Sequence, residues 1–386
     1  MKKLYLVLIL LLSTFYISYS QGIDFSKPRD VENSGRFRTL RISGHSGGHL
    51  YSGKTLTEKL AGYGGLTAKF GWQSRDEEIW GPYGYPTYGL GWYAGFIGDP
   101  QIFGNPNALF GFIRFPISNP TRKNEFGIEP QFGLTYNLNP FNPETNPLND
   151  AIGGKMAVYF SVNFGWTYKW TREMDITYGI DFTHFSNGRM YTPNYGLNMF
   201  GLNLGLRYHY NADQHRVDDS TFPDQILQSR YQRNKKVPNS KVDQNQSVNV
   251  YLALGTVQSS ADAGTKTRYG TFSGVIDYQH KFNNMHSATA GIDSMIDNSL
   301  AQDNPSDPDK YLIGLHAGYD FMFWKFTIGA HLGGYLTDNR GKTSYYTRPS
   351  LRYDINNRLF AQVGLKTNGF AADWVEWGIG YRPFKW

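Results

Sequence analysis

The chain of 386 residues contains no cysteine. Disulfide bonds and thiolate metal sites are therefore excluded, and so is a lipoprotein anchored through a cysteine at its cleavage site. Beyond the N-terminal segment, no run of eighteen apolar residues occurs, so we predict that the mature chain has no membrane-spanning helix. Any contact with the interior of a membrane must then be made by another kind of structure.

The first twenty residues have the pattern of an export signal. Lys2 and Lys3 precede an unbroken apolar run, and small residues follow it up to Ser20. This order is typical of a secretory signal peptide. We predict cleavage after Ser20, and we treat residues 1–20 as a signal peptide that takes no part in the fold.

Aromatic residues are abundant in a chain that is otherwise polar. They make up 16% of the sequence, with 28 Tyr, 26 Phe and 9 Trp, although the mean hydropathy is only -0.49. A membrane β-barrel reconciles the two values, because half of each strand faces lipid, half faces a wet lumen, and aromatic rings gather at the interfaces. The formal net charge of +6 is compatible with an anionic lipid surface but does not define a partner.

Alternating apolar and polar residues recur in short segments from Thr39 onward. In residues 157–170, Val158, Phe160 and Val162 share one face and polar residues share the other, a separation that a helix would not preserve. We predict an all-β fold, a transmembrane antiparallel outer-membrane β-barrel over residues 39–386. Sixteen candidate strands are recognisable, and because two are irregular and one is short, fourteen is an equal alternative. The candidates are 39–47, 66–73, 88–97, 108–117, 126–137, 157–170, 175–186, 199–210, 247–257, 269–282, 286–295, 311–323, 325–336, 344–354, 359–367 and 373–384.

Two polar segments do not fit the strand pattern. Residues 21–38 are predicted to form an N-terminal extension in the periplasm or the lumen. The terminal aromatic residue Trp386 resembles the assembly signal of outer-membrane barrels. If the last strand ends in the periplasm, counting turns back from it places residues 212–246 in the periplasm as a long polar insert. Its basic residues are few and scattered, so no nucleic-acid partner is predicted. The same count places the loop 187–197 at the cell exterior.

Residues 175–210 carry the candidate chemistry. Read with a period of two, His184 and Ser186 fall on the apolar face of one predicted strand, and Asn198 falls on the apolar face of the next. Asn198 follows His184 by fourteen residues, a spacing that lets a hairpin bring the two side chains together. Ester hydrolysis by serine needs a hydroxyl, an imidazole and a group that orients the imidazole.

We therefore assign catalytic roles to three residues and oxyanion roles to two. Ser186 is the predicted nucleophile, His184 the base and Asn198 the group that accepts the imidazole N–H. The side-chain amide of Asn187 and the backbone N–H of Gly188 are the predicted oxyanion donors. Because the face is apolar, an acyl chain would approach from the bilayer.

The same residues resemble a known enzyme family. HFSNG at 184–188, followed by PNYGLN at 193–198, resembles the lipid A 3-O-deacylase (acyloxyacyl hydrolase) family, small outer-membrane barrels with a His-x-Ser-Asn sequence on the lipid-facing surface. That family has a glutamate where this chain has Asn198. The resemblance implies a carboxylic ester hydrolase that removes an ester-linked acyl chain from outer-leaflet lipid A (lipopolysaccharide deacylation) and needs no metal or cofactor.

Two alternatives remain open. HFSNGR at 184–189 with Asn198 also resembles the outer-membrane phospholipase A family, which uses a His, Ser and Asn triad. That resemblance implies a calcium site involving Arg189 on formation of a homodimer, with a serine expected at the position of Asn194. The third alternative is a non-catalytic porin or scaffold barrel.

Other polar residues favour structural roles. His45 and His49 have the spacing of a metal pair, but a glycine-rich strand end explains them better. Glu376 alternates with apolar residues and is predicted to face the lumen, the wrong side for the triad. We predict that Glu376, Asp181 and Arg207 belong to a luminal charge network.

Overall fold

The chain folds into antiparallel strands joined by turns and short helices. The computed structural model describes residues 37–50, 62–73, 77–119, 122–171, 173–210, 244–303, 305–306, 309–337, 339 and 341–386. The predicted signal peptide, almost all of the extension 21–38 and most of the insert 212–246 lie outside the described residues. In the described part of the chain, no helix has the length and apolar character needed to cross a membrane.

The predicted all-β class is confirmed, with sixteen strands among the described residues. The strands are β1 Phe37–His49, β2 Tyr63–Gln73, β3 Thr87–Ile97, β4 Gly104–Pro116, β5 Asn124–Leu138, β6 Ala157–Lys169, β7 Met174–Ser186, β8 Leu197–His209, β9 Gln246–Val257, β10 Tyr269–Lys281, β11 His286–Asp297, β12 Tyr311–Phe323, β13 Phe326–Tyr335, β14 Tyr345–Asp354, β15 Leu359–Asn368 and β16 Ala371–Lys385. The short helices are Glu77–Trp80, Gly81–Tyr83, Pro100–Phe103, Ser260–Asp262 and Leu300–Asp303.

The closure of these strands differs from the expected single barrel over 39–386. Strands β1–β8 close into a first barrel and β9–β16 into a second. The first closes where β1 pairs with β8, and the second where β9 pairs with β16. Alternation in the sequence determines the face on which each side chain lies. It does not determine which later strand pairs with the first strand to close the barrel. The correction therefore concerns closure and not the strands themselves.

The polar insert 212–246 marks the boundary between the two barrels. Strand β8 ends at His209 and β9 begins at Gln246. In a single wall these two strands would be neighbours, but β8 pairs with β1 instead. The segment that fitted one barrel poorly is thus the connection between the last strand of one barrel and the first of the next.

Each barrel turns charged side chains and buried aromatic rings inward and exposed apolar side chains outward. In β7, Asp175 and Asp181 are buried in the lumen, whereas Tyr178 and Ile180 on the opposite face are each 37% exposed. Glu129 of β5 bonds across the first lumen to Arg41 and to Lys69, whose Nζ lies 2.7 Å from Oε1. An apolar outer wall with its backbone groups paired around a closed barrel suits a bilayer.

The three residues predicted to form one luminal network are all luminal but lie in separate networks. Asp181 accepts a hydrogen bond from Tyr63 at 2.6 Å, and Arg207 pairs with Asp175 at 2.8 Å, both in the first barrel. Glu376 pairs with an arginine of the second barrel. Sequence alternation placed each side chain on the correct face, whereas pairing across a lumen depends on which strands share a barrel.

The histidines considered as a metal pair have other partners. His45 Nδ1 lies 3.2 Å from Asp181 Oδ2, and its Nε2 lies 3.0 Å from Thr67 Oγ1. His49 lies beside the ring of Phe103. Among the described residues, no cluster of three His, Asp or Glu side chains has the arrangement of a metal site.

An aromatic cluster joins the two barrels at the end where each barrel starts. The connection between β2 and β3 contributes Trp80 and Tyr83, and the turn between β12 and β13 contributes Trp324. The rings of Trp80 and Trp324 are 6.0 Å apart, and Tyr83 Oη accepts a hydrogen bond from the Trp324 N–H at 3.3 Å. Phe115 and Phe323 pack in the same buried cluster. Both barrels therefore run in the same direction.

Candidate functional site

The hairpin of β7 and β8 brings His184 and Asn198 together. The two residues are direct partners in the strand pairing, and His184 Nδ1 lies 2.7 Å from Asn198 Oδ1. An amide oxygen can only accept, so Nδ1 carries the proton and Nε2 is the basic nitrogen. Thr183 and Phe185 on either side are buried inside the barrel, so the imidazole projects from its outer face.

A glycine closes over the imidazole. Gly196 has a φ of 76°, and a Cβ built there would lie 2.8 Å from His184 Cε1. Its N–H donates to the carbonyl of Ala151 at 2.9 Å. The left-handed backbone and the close approach both require glycine, so the imidazole is held between an amide and a glycine.

The Ser186 hydroxyl has partners other than His184. Its oxygen accepts from Asn194 Nδ2 at 2.9 Å and from the Gly188 N–H at 3.3 Å. Among the described residues, no hydrogen bond joins Ser186 to His184. Ser186 follows His184 by two residues in the same strand, so their side chains leave the strand on the same face as neighbours.

Asn194 is a site residue that sequence reasoning missed. There it appeared only as the position of an absent serine, yet its Nδ2 contacts Ser186 and its Oδ1 accepts from the Asn187 N–H at 3.1 Å. The available signal was the Pro-Asn pair at 193–194 in the PNYGLN motif, which the strand period does not cover. The carboxamide of Asn194 thus links the Ser186 hydroxyl to the backbone of Asn187.

The two predicted oxyanion donors lie directly behind Ser186. Gly188, with a φ of 62°, directs its N–H at the hydroxyl oxygen. Asn187 is 1% exposed and its Oδ1 accepts from the Tyr191 N–H at 3.3 Å. Within the described part of the chain, Asn187 Nδ2 is a buried donor with no partner. Such an unused donor is costly unless it serves another acceptor.

The loop that carries these groups packs between both barrels. On one side, the Tyr195 N–H donates to Asp150 of the first barrel at 3.4 Å. On the other, Thr192 Oγ1 donates to Gln258 Oε1 of the second barrel at 3.1 Å. A Cβ at Gly188 would lie 2.5 Å from Val375 Cγ2 of the second barrel. Contacts between such distant parts of the chain have no signal in the local sequence.

Two family models match consecutive parts of the chain. Residues 62–207 match the model described as lipid A 3-O-deacylase (PagL). Residues 246–386 match the one described as acyloxyacyl hydrolase, C-terminal domain. The first match runs from β2 to residue 207 in β8, and the second covers the whole second barrel, so together they extend over most of the chain.

Similarity to solved structures is weak, and no curated protein sequence matches the chain. Neisserial surface protein A aligns at 10% identity over 45% of this chain and 97% of its own, with a TM-score of 0.30. A triple mutant of the Rhodopseudomonas blastica porin aligns at 10% identity over 89% of this chain and 99% of its own, with a TM-score of 0.22.

Proposed function

Because the chain belongs to the lipid A 3-O-deacylase family, it is a carboxylic ester hydrolase integral to the outer membrane, and we propose that Ser186, His184 and Asn198 form its catalytic triad. The substrate in this proposal is lipid A of the outer leaflet, which loses one ester-linked acyl chain. The observation that carries the proposal is the 2.7 Å distance between His184 Nδ1 and Asn198 Oδ1. His184 lies two residues before Ser186 in the same strand.

The proposed reaction proceeds through an acyl-enzyme. Both hydrogen bonds to Ser186 use its oxygen as acceptor, which leaves the hydroxyl proton available for His184 Nε2. As the proton moves to Nε2, Oγ attacks the acyl carbonyl, and Asn198 holds the imidazolium in place. Collapse of the tetrahedral intermediate expels the sugar hydroxyl, which takes the proton from His184. Water, deprotonated by the same imidazole, then releases the fatty acid.

Charge on the carbonyl oxygen is proposed to be stabilised behind the serine. The Gly188 N–H is the first donor, and the unpartnered Nδ2 of buried Asn187 is the second. Asn194 keeps both close to the hydroxyl through its two contacts. Removal of one such donor typically lowers kcat by about 100- to 1,000-fold.

The exposed apolar neighbours of the triad on the outer wall support the proposal that it faces lipid. Phe200 and Leu202 continue the face of Asn198 and are 48% and 66% exposed. An acyl chain lying against this wall would stay in an apolar surrounding while its ester reached Ser186. This arrangement favours a substrate embedded in a membrane over a water-soluble ester.

A phospholipase A is the second candidate, and the amide of Asn198 favours it. A Ser, His and Asn set matches that family's triad, whereas the deacylase family has a glutamate at this position. Calcium would act as a cofactor, and a homodimer would be the active form, only under this alternative. Release of fatty acid from glycerophospholipid that appears only when calcium is added would favour the phospholipase.

Mass analysis of lipid A tests the proposal directly. Cells that express the wild-type chain are expected to contain lipid A lacking one acyl chain, whereas cells with Ser186→Ala are expected to keep it. Ser344→Ala, a change at an exposed turn, serves as the matched control and should behave as wild type. Equal acylation with wild type and Ser186→Ala would contradict a serine esterase acting on lipid A.

A further inference from the structure

Arg189, which follows the predicted oxyanion donors Asn187 and Gly188, is hydrogen-bonded to the second barrel. Arg189 Nη1 donates to Asp373 of β16 at 2.7 Å, and Nη2 donates to Ser299 Oγ at 2.7 Å. Its Nε donates to the carbonyl of Gln258 at 3.1 Å, and its own carbonyl accepts from the Gln258 N–H at 2.9 Å. An arginine of one barrel thus has its guanidinium and its backbone bound by the other.

The buried carboxylate that accepts from Arg189 belongs to Asp373 and binds two further cations. Asp373 is fully buried, and Lys342 Nζ and Lys366 Nζ each lie 2.6 Å from its Oδ2. Lys342 also donates to Asp297 at 3.0 Å. A carboxylate fixed by two lysines of its own barrel presents Oδ1 to Arg189 in a set position, and charge-assisted bonds of this kind are strong and directional.

The backbone at Arg189 is in a conformation that a side chain rarely takes. Gly188 and Arg189 have successive φ values of 62° and 60°. Glycine adopts this region freely, but arginine does so only when its surroundings hold it there. The bonds from Arg189 to the second barrel supply that restraint at the residue next to the Gly188 N–H.

We propose that Arg189 is a positioning residue through which the second barrel sets the geometry of the oxyanion donors behind Ser186. The inference rests on the proposed function, because it assigns a purpose to the segment 187–189 in ester hydrolysis. The second barrel then takes part in the reaction without contacting the substrate. It holds the Gly188 N–H where charge develops, and misplacement by about 1 Å is enough to cost about 100-fold in rate.

Substitution of Arg189 tests this role without leaving a buried charge unpaired in the second barrel. Loss of Arg189 leaves Asp373 still bound by Lys342 and Lys366, so the second barrel keeps its buried carboxylate paired. In Arg189→Gln we expect kcat for acyl release from purified lipopolysaccharide to fall by about 10- to 100-fold with KM unchanged. Arg189→Lys should recover part of this loss, because an ammonium keeps the charge but not the fork of donors. Lys266→Gln removes the same charge from an exposed site in the connection between β9 and β10 and should match wild type.

A second measurement does not depend on activity. Hydrogen exchange of the backbone amides of 187–192 should be at least about tenfold faster in Arg189→Gln than in wild type or Lys266→Gln. Unchanged exchange, unchanged kcat, or a rise in KM alone would overturn the positioning role, the last by making Arg189 a substrate-binding group. If Arg189→Gln does not fold, Arg189→Lys carries the same comparison. Absence of acyl release by wild type would count against the proposed function, while exchange would still decide whether Arg189 restrains the loop.

Discussion

The imidazole of His184 is oriented by a neutral group. Asn198 Oδ1 accepts from Nδ1 at 2.7 Å, which fixes the tautomer as a carboxylate would. It adds no negative charge to balance the imidazolium that would form in the proposed reaction. The residue therefore supplies orientation and leaves electrostatic stabilisation to other groups.

Substitution of Asn198 separates these two effects. Asn198→Asp keeps an acceptor and adds a charge, so we expect kcat equal to wild type or higher. Asn198→Ala removes the acceptor and should lower kcat by about 100-fold or more, because the imidazole is free to turn. Steady-state kinetics of acyl release measures both. Equal activity of Asn198→Ala and wild type would exclude Asn198 from the triad.

The glycine over the imidazole gives a second prediction. Gly196→Ala places a methyl group 2.8 Å from His184 Cε1 at a φ of 76°, so the ring must move and kcat should fall by about 10- to 100-fold. Gly341→Ala is the matched control, because Gly341 has a φ of 77° and no atom within 4 Å of its Cβ position. Both variants should lose about 1–2 kcal/mol of stability from backbone strain, whereas only Gly196→Ala should lose activity.

Much of the candidate site follows from a period of two. The shared face of His184, Ser186 and Asn198 was predictable because strand alternation is local. Asn194 and the acceptor of Arg189 were not, because loop residues follow no period and Asp373 is 184 positions away from Arg189. Local patterns state which way a side chain points, whereas the partner that it meets depends on tertiary packing.

At the level of strands, the sequence was informative about where each strand lies. All sixteen predicted segments overlap observed strands, and 311–323 coincides with β12. What alternation left open was the edge at which the wall closes. The pairing of β1 with β8 joins residues far apart in the sequence, as do the contacts of Glu129, which bring together residues from β1, β2 and β5 across the first lumen.

Glu129 provides a prediction at this scale. It is fully buried between Arg41 and Lys69, so Glu129→Gln leaves two buried cations without a carboxylate and should lower the free energy of unfolding by about 3–5 kcal/mol. Urea unfolding in detergent micelles measures the change. Glu144→Gln, at an exposed turn, should have no effect, and a similarly small loss for Glu129→Gln would mean that the lumen is hydrated enough to solvate both cations.

For the whole molecule, two narrow barrels replace one wide one. An eight-stranded barrel has an interior just wide enough for its own side chains. Both lumens are filled accordingly, the first by stacked aromatic rings and ion pairs and the second by a charged network. Fully or almost fully buried examples are Tyr93, Tyr159 and Phe185 in the first barrel and Tyr346, Arg348 and Phe360 in the second.

Filled lumens predict that the protein does not conduct ions. Purified protein inserted in planar bilayers should show no stable unitary steps, because buried side chains occupy both interiors. The wild-type chain and Ser186→Ala should behave alike in this measurement. Steady conductance would favour the porin alternative and contradict the packing of both interiors.

The even number of strands in each barrel has a consequence for how such a chain could arise. A unit of eight strands starts and finishes at the same rim, so a second unit joined to it enters the membrane with the same polarity. Fusion of two ancestral genes would therefore keep both loop-bearing rims in one leaflet without any inversion. A first unit with one strand fewer would give the second barrel the opposite orientation in the membrane. Asp373 would then lie at the other rim, away from Arg189.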